Sequence, residues 1–558
     1  MIIGLDVGGT HTDAVLIGNQ GLVHSVKVAT DPDQLFSTII CALQQLTENQ
    51  DIGDIERLVL STTLVTNLVV QKKLPSVAVL VSAGPGIDPE YFRIGDHYHM
   101  VQGVLDHSGR EITSIDDEQI IDIGKQLKKC DISCAAVVSK FSVRNPAHEL
   151  RMAELLSPYV EHVFMGHVLS GTLNFPRRIT TTYLNAAVYP MHCRFFDAVQ
   201  QSLEKQGLSV PILILKPDGG SMNFSSSLDY PAQTILSGPS ASVMGAINSA
   251  PKDKTCLVLD IGGTTTDIAL ILNGVPVIST EGIEIGSYKT LIRALMTRSI
   301  GIGGDSVVRV QGGKLTIGPD RIGVAMAYGG PVPTPTDALC VLGLTADGDV
   351  HIAKKGLSLL AGEMDVSIEE ISESIIDAAC QKILIEAGEM VNYLNGRPVY
   401  TVHEMFADLQ IVPDHILVLG GPAHQFAKRL APLFSGEVET VPHWHVANAI
   451  GCALSRVTCE VTVYADTAQK IITVQGEEFK QKITQDITLG DVRQIAIDLV
   501  RAKALRRGAI PKYLEIEIVE ESQFNMIRGF RMEGKNIRVR AQVKPGLLPN
   551  YISKEAKV

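Results

Sequence analysis

Residues 3–17 read IGLDVGGTHTDAVLI, and residues 257–271 read LVLDIGGTTTDIALI. Their shared core, Asp-(Val/Ile)-Gly-Gly-Thr-x-Thr-Asp, runs from Asp6 to Asp13 and again from Asp260 to Asp267, 254 residues later. A spacing that long lies outside the range of solenoid repeats and fits two copies of a whole domain. In each copy a short apolar run (Ile2–Leu5; Leu257–Leu259) reads as a buried strand. The Gly-Gly pairs, Gly8-Gly9 and Gly262-Gly263, permit a tight turn with backbone close to a ligand. A second apolar run follows (Ala14–Ile17; Ile268–Ile271), so each copy is a strand–turn–strand hairpin. It is not the strand–turn–helix of a P-loop, and no GxxxxGK(S/T) occurs. In such a turn the backbone N–H groups and the hydroxyls of Thr10, Thr12, Thr264 and Thr265 can point at one anion. Asp6 and Asp260, ending the first strand of each copy, can hold Mg²⁺, which takes carboxylate and phosphate oxygens. One such hairpin alone reads equally well as an ordinary turn. Two near-identical copies are explained by a single nucleotide clasped by both. His11 lies inside the first hairpin, facing either the phosphates and substrate or solvent.

The rest of the composition sets bounds. The chain has 558 residues, enough for three to five domains at about 100–200 residues each. Hydrophobic residues at 45% and charged residues at 20% describe a globular chain rather than a disordered one. The net charge of −12 argues against nucleic acid or an anionic membrane surface as the main partner, because both need a basic footprint. No uninterrupted apolar run has the length of a membrane span, and the first residues lack the features of a secretion signal. Nine scattered cysteines are not a disulfide framework, so a reducing, cytoplasmic location is expected. Cys130 and Cys134 are a close pair without a second pair at zinc spacing, and they read as free thiols. His97 and His99, and His443 and His445, would each share a face if extended, which is half of a metal site at most.

Beyond the hairpins, a series of motifs stands in a fixed order: STTLVTN (61–67), SVRNPAHELR (142–151), RRITTTYLNAAV (177–188), PDGGSM (217–222), TILSGPSASVMGA (234–246), SIGIGGDSVVRV (299–310), PTPTDALCVLG (333–343) and LGGPAHQFA (419–427). In this combination the chain resembles the A-type subunit of the hydantoinase/5-oxoprolinase family, within the actin and sugar-kinase ATPase superfamily, over residues 1–457. The resemblance implies an α/β fold of duplicated ribonuclease H-like, actin-like ATPase lobes with a nucleotide cleft between lobes, plus a small C-terminal α+β domain. The expected divisions are a first lobe at 1–170, a connecting segment at 171–250, a second lobe at 251–457 and a C-terminal domain of unknown role at 458–558. Within the connecting segment, residues 183–206 read as a helix interrupted at Pro190.

The resemblance also implies chemistry: ATP, with Mg²⁺, phosphorylates a carbonyl oxygen of a cyclic amide or ketone. The expected substrate is therefore a lactam, a hydantoin or a ketone. A B-type subunit is an expected partner, and a homo-oligomer is left open. Gly303 and Gly304 would pass close to the nucleotide, and Gly420 and Gly421 would face its base. Asp13 and Asp267 would orient hydroxyls or water, or cap the turns. Thr62, Thr63, Thr66 and Asn67 are candidate substrate contacts, as are Ser237 and Gly238 at the start of a helix, where anions bind readily. Leu60-Ser61 stands where the family pattern has His-Gly, and Asp305 stands where another glycine is usual. Two other classes remain in view: a small-molecule kinase, and a nucleotide-dependent switch without small-molecule chemistry.

Overall fold

The computed structural model describes residues 1–549 except 32–33, 49, 51, 280, 346–347, 397–409, 476–478, 485 and 529–530. The chain divides into two compact units. The first comprises Met1–Ser237, Ser279–Ala294 and the described residues from Ala453 onward; the second comprises Gly238–Ile278 and Leu295–Cys452.

In the first unit the opening strand Ile2–Val7 pairs antiparallel with His11–Gly18, which pairs antiparallel with Gly21–Ala29. On its other edge Ile2–Val7 pairs parallel with Arg57–Thr62, and that strand pairs parallel with Ile212–Leu215. Strand Ser221–Asn223 closes the sheet. In the second unit Thr255–Ile261 pairs antiparallel with Thr266–Leu272, which pairs with Val275–Pro276 and with Thr297–Ile300. Thr255–Ile261 also pairs parallel with His415–Leu419, which pairs parallel with Glu437–Thr440. Both sheets thus run third–second–first–fourth–fifth strand, with an antiparallel start and a parallel finish. The sequence duplication is therefore a duplication of ribonuclease H-like topology.

The central strands are buried at nearly every residue, as expected where helices cover both faces of a parallel region. The first unit carries a second sheet, all parallel, in the order His162–Met165, Cys134–Ser139, Ala78–Ser82, His97–Met100. Helix Phe175–Lys205 packs against both layers. Its Ile179, Leu184 and Ala187 join the core of the second sheet, while Phe195, Val199 and Leu203 join the core of the first sheet with helix Leu35–Thr47. Contrary to the expected interruption, this helix runs through Pro190. The flanking side chains are buried over most of its length, and packing outweighs one missing N–H.

Residues from Glu460 onward form an antiparallel sheet in the order Lys480–Lys482, Ile471–Val474, Glu460–Asp466, Arg531–Val543, Ile516–Arg528. Helix Leu489–Arg506 covers one face, with Val492, Ala496, Val500 and Ala504 set against Val461, Val463, Val539 and Ala541. Thr488 and Asp491 form a capping box at its start. The sequence pattern predicts strands at 461–466, 470–475, 513–521 and 536–543 and a helix at 488–508; all five are present, and the last two strands are longer and form one hairpin. Among the described residues no helix is long and apolar enough to cross a membrane.

Candidate active site

In the second unit, antiparallel register sets Asp260 directly opposite Asp267. The turn between them is closed by the Gly262 N–H donating to the Thr265 carbonyl at 2.9 Å. No hydrogen bond to a described residue is formed by the N–H groups of Gly263, Thr264 and Thr265, or by the hydroxyls of Thr264 and Thr265. Five donors thus cluster on a half-exposed turn, which suits an anion with several oxygens.

The Asp260 carboxylate is held from two sides. Ser242 donates its hydroxyl to Oδ2 at 2.5 Å, and the Asn448 amide donates to the same oxygen at 3.1 Å. Helices Ser237–Ala246 and Ala447–Leu454 supply these groups. They can do so because they meet at Gly245 and Gly451: a Cβ on Gly451 would lie 2.3 Å from the Gly245 nitrogen. Asp267 is half-buried, and its carboxyl is pushed up to about 7, first by burial and then by the charge of Asp260, against the opposing effect of the Ser299 hydroxyl.

Two further segments frame the turn. The Gly304 N–H donates to the Gly262 carbonyl at 2.9 Å and the Asp305 N–H to the Gly263 carbonyl at 2.6 Å, so the GIGGD loop lies directly on the hairpin backbone. Asp305 is paired with Arg321 at 3.0 Å, which answers what a carboxylate does at this position. Gly420, at φ +98°, sits so close to the first strand that a Cβ would lie 2.2 Å from the Ile261 carbonyl oxygen and 2.7 Å from Asp260. Gly421 faces open space. The two glycines, equivalent by sequence, are physically different.

The first unit repeats the arrangement with other neighbours. Asp6 lies opposite Asp13, and the Gly8 N–H donates to the His11 carbonyl at 3.0 Å. Ser61 donates its hydroxyl to Asp6 at 2.5 Å, the role that Ser242 plays for Asp260. Asp13 differs from its counterpart, because Lys27 on the third strand pairs with it at 2.5 Å. Gly9, Thr10 and His11 are at the surface of the turn, with His11 Nδ1 and the Thr10 hydroxyl 3.3 Å apart. Thr12 is fully buried, its hydroxyl turned inward to Thr30 at 2.8 Å.

The expected substrate-contact residues of this unit are partly occupied by one another. The Thr62 N–H donates to the Ser237 hydroxyl oxygen, whose proton is given to the Thr62 carbonyl, at 3.1 and 2.9 Å. Thr66 accepts from the Leu236 N–H at 2.8 Å. These contacts fix the Thr62–Asn67 stretch against the segment entering the helix. Thr63 carries a buried hydroxyl with no partner among the described residues, and a Cβ on Gly9 would lie 3.4 Å from the Asn67 amide nitrogen. Gly238 uses its carbonyl to accept from Ser242 at 3.2 Å.

The two histidine pairs behave differently. His97 and His99 share one face of their strand. His443 and His445 lie in a turn, with His443 at φ +54°, so the extended geometry expected there is absent. Among the described residues no group of three or more metal-ligating side chains forms.

Residues 178–461 match the hydantoinase/oxoprolinase family, and residues 2–160 match its N-terminal region. The chain belongs to the hydantoinase/oxoprolinase family. An uncharacterized protein of Methanocaldococcus jannaschii is 26% identical over 68% of this chain and 63% of its own length. The caprolactamase subunit alpha of Pseudomonas jessenii is 24% identical over 82% of this chain and 70% of its own. The crystal structure of that organism's ATP-dependent caprolactamase superposes with a TM-score of 0.68 at 19% identity, covering 99% of this chain and 88% of that one. The nucleotide-free structure of acetone carboxylase superposes with a TM-score of 0.74 at 16% identity, covering 98% and 88%. The chain thus spans just under two thirds of the length of the first of these relatives and slightly more of the second. The two superpositions show a shared fold, and within it the duplicated sheet topology expected from the twin hairpins is present.

Asp6, Asp13, Asp260, Asp267 and the glycine turns stand out in the sequence, and the register is what pairs the aspartates. Ser242, Asn448 and Lys27 do not stand out, and Ser61 does so only as a departure from the family pattern. The one signal for Ser242 is its place within TILSGPSASVMGA, the motif that carries Ser237 and Gly238.

Proposed function

We propose that the chain is an ATP-dependent enzyme that activates the carbonyl of a cyclic amide or a ketone by phosphorylation. The observation that carries this reading is the second-unit hairpin, a turn of five uncommitted donors beside a clamped aspartate, with a second clamped aspartate on the equivalent hairpin of the first unit, in a chain of the hydantoinase/oxoprolinase family. Donors of this kind suit phosphate oxygens, and phosphoryl transfer asks a protein mainly for positioning and charge stabilisation.

For a lactam, the carbonyl oxygen attacks the γ-phosphorus, the bond from that phosphorus to the bridging oxygen breaks, and ADP leaves. Water then adds to the activated carbon. The C–N bond breaks as nitrogen takes a proton, and the acyl phosphate left behind is hydrolysed by a second water to carboxylate and inorganic phosphate. For a ketone, the α-proton is lost and the enolate oxygen takes the phosphoryl group. In this chain the turn N–H groups and the hydroxyls of Thr10, Thr264 and Thr265 bind phosphate. Gly303 and Gly304 hold the second hairpin in shape. Gly421 leaves room beside the nucleotide, and of the expected substrate contacts Thr63 and Asn67 are the ones whose side chains make no hydrogen bond to a described residue, which leaves them for a substrate carbonyl. Asp13 and Asp267 orient the hairpins.

Asp6 and Asp260 fit an outer role toward Mg²⁺, because the donor set is one clamped carboxylate in each unit rather than a cage of protein ligands, and Mg²⁺ keeps water and phosphate oxygens around it. When bound it would neutralise phosphate charge. The relatives' names include that of a subunit, which supports a partner chain of B type here as well.

The test is ATP turnover by the purified chain, alone and with any B-type protein encoded beside it, against a panel of lactams, hydantoins and ketones. ADP release stimulated by one class supports the proposal. A stable phosphorylated alcohol as product assigns a kinase instead. Slow turnover that no small molecule stimulates assigns a switch.

A further inference from the structure

A cavity of about 600 Å³ opens in the first unit, apart from the hairpin, where the C-terminal sheet and helix meet residues 168–177, 216–233 and 281–293. Its lining is basic in a chain that is acidic overall. From the earlier part of the chain come Arg177, Lys216 and Arg293; from the C-terminal sheet and helix come Lys503, Arg507, Arg538 and Arg540. Against these seven cations stand three lining carboxylates, Asp218, Glu281 and Glu460, an excess of four positive charges.

Internal partners leave much of that charge uncompensated. Lys216 and Asp218 pair at 2.9 Å, and Arg293 pairs with Glu460 at 2.6 Å. Arg538 and Arg540 share the single carboxylate of Glu520, at 2.7 and 3.8 Å. Arg177 spends its guanidinium on the carbonyl oxygens of Glu281 and Thr290. Arg507 forms no ion pair among the described residues and lies over the Tyr230 ring at 5.4 Å. The Nε atoms of Arg293, Arg538 and Arg540 are buried without a hydrogen-bond partner among the described residues. Three orphaned guanidinium donors around one cavity are the reverse of what a folded chain normally tolerates. Like charges held this close repel unless a counter-charge enters.

We propose that this cavity binds a small organic polyanion through carboxylate or phosphate groups, with Arg507, Arg538 and Arg540 as its principal contacts. Guanidinium forks suit both groups because each can take two parallel hydrogen bonds. The volume admits a molecule of metabolite size. The site lies wholly in the first unit and does not depend on ATP turnover.

The experiment uses the full-length protein, with citrate and pyrophosphate as probes followed by calorimetry. On the wild-type chain, phenylglyoxal labelling read by peptide mass spectrometry shows whether each probe shields Arg507, Arg538 and Arg540. This measurement needs no variant to fold. Binding is expected to fall at least about tenfold in Arg507→Gln and in Arg540→Gln, the loss of one charge-assisted contact each, and to weaken as salt rises. Shielding by citrate alone identifies a carboxylate ligand, shielding by pyrophosphate alone a phosphorylated one, and shielding by both a site that reads charge; each supports the proposal. Failure of both probes to shield the arginines overturns it. So does pyrophosphate binding that survives both arginine substitutions and disappears in Asp260→Asn, which would place the probe on the hairpin.

Discussion

Alanine at Gly420 and alanine at Gly421 should have opposite consequences, although the two residues look interchangeable in the sequence. At Gly420 the new methyl would sit 2.2 Å from the Ile261 carbonyl oxygen, well inside contact distance, and the backbone would have to hold φ near +98°. Strain at positive φ costs about 1–3 kcal/mol. Overpacking against backbone that cannot turn aside costs about as much again. Gly420→Ala should therefore destabilise the second unit by about 2–6 kcal/mol. For a unit of roughly 200 residues, at about 2–4 °C per kcal/mol, this lowers its unfolding midpoint by about 4–24 °C. The strand would also be pushed off Ile261, and Asp260 with it, so Mg·ATP use should fall in whatever fraction stays folded. No described residue lies within 4 Å of a methyl at Gly421, so Gly421→Ala should unfold with the wild type, and any loss should appear only in the KM for ATP. Scanning calorimetry and ATP titration separate the two effects. Equal midpoints for the two variants would refute the reasoning, and so would a Gly421→Ala protein as unstable as Gly420→Ala.

Other perturbations test other parts of the structure. Asp6→Asn and Asp260→Asn should keep wild-type circular dichroism while losing magnesium-dependent ATP turnover; normal turnover in both would remove these residues from the nucleotide site. Ser242→Ala deletes a hydrogen bond to a charged group, worth about 1.5–3 kcal/mol, and should weaken Mg·ATP use by about tenfold or more, with Asn448→Ala acting in the same direction. Stability should also depend on pH through His192, which is buried in the first unit, stacked on Phe224 and bonded to Ser227, and whose pKa burial lowers from 6.5 to about 4. Below 6.5 the unfolded chain takes a proton that the folded chain refuses until about 4, so stability falls as pH drops through that window, by up to about 3 kcal/mol. Urea titrations across this range should show the slope in the wild type and a flatter profile in His192→Gln.

What could be read in the sequence was what is local. In each hairpin the turn and both strands lie within 18 residues, so the two apolar runs and the Gly-Gly pair were enough to read a strand–turn–strand hairpin, while the register that sets Asp6 against Asp13 and Asp260 against Asp267 comes from the fold. The C-terminal strands and their capped helix were legible for the same reason. Two of the groups that grip the aspartates were not, because each arrives by a long chain excursion. Ser61 is 55 residues from Asp6, and Asn448 is 188 from Asp260. Only the close crossing of two helices at Gly245 and Gly451 brings Ser242 and Asn448 to one oxygen. Pro190 misled because propensity describes a helix in solvent, whereas Phe175–Lys205 is packed along most of its length. The basic cavity was hidden by averaging: a net charge of −12 says nothing about arginines at 177, 293, 507, 538 and 540 that meet only in the fold. Duplication also concealed a difference between the copies. Lys27 neutralises Asp13, whereas Asp267 faces Asp260 with no cation beside it among the described residues. Of two turns that read almost identically, the second thus holds the less compensated pair of carboxylates, and that crowding is part of what raises Asp267.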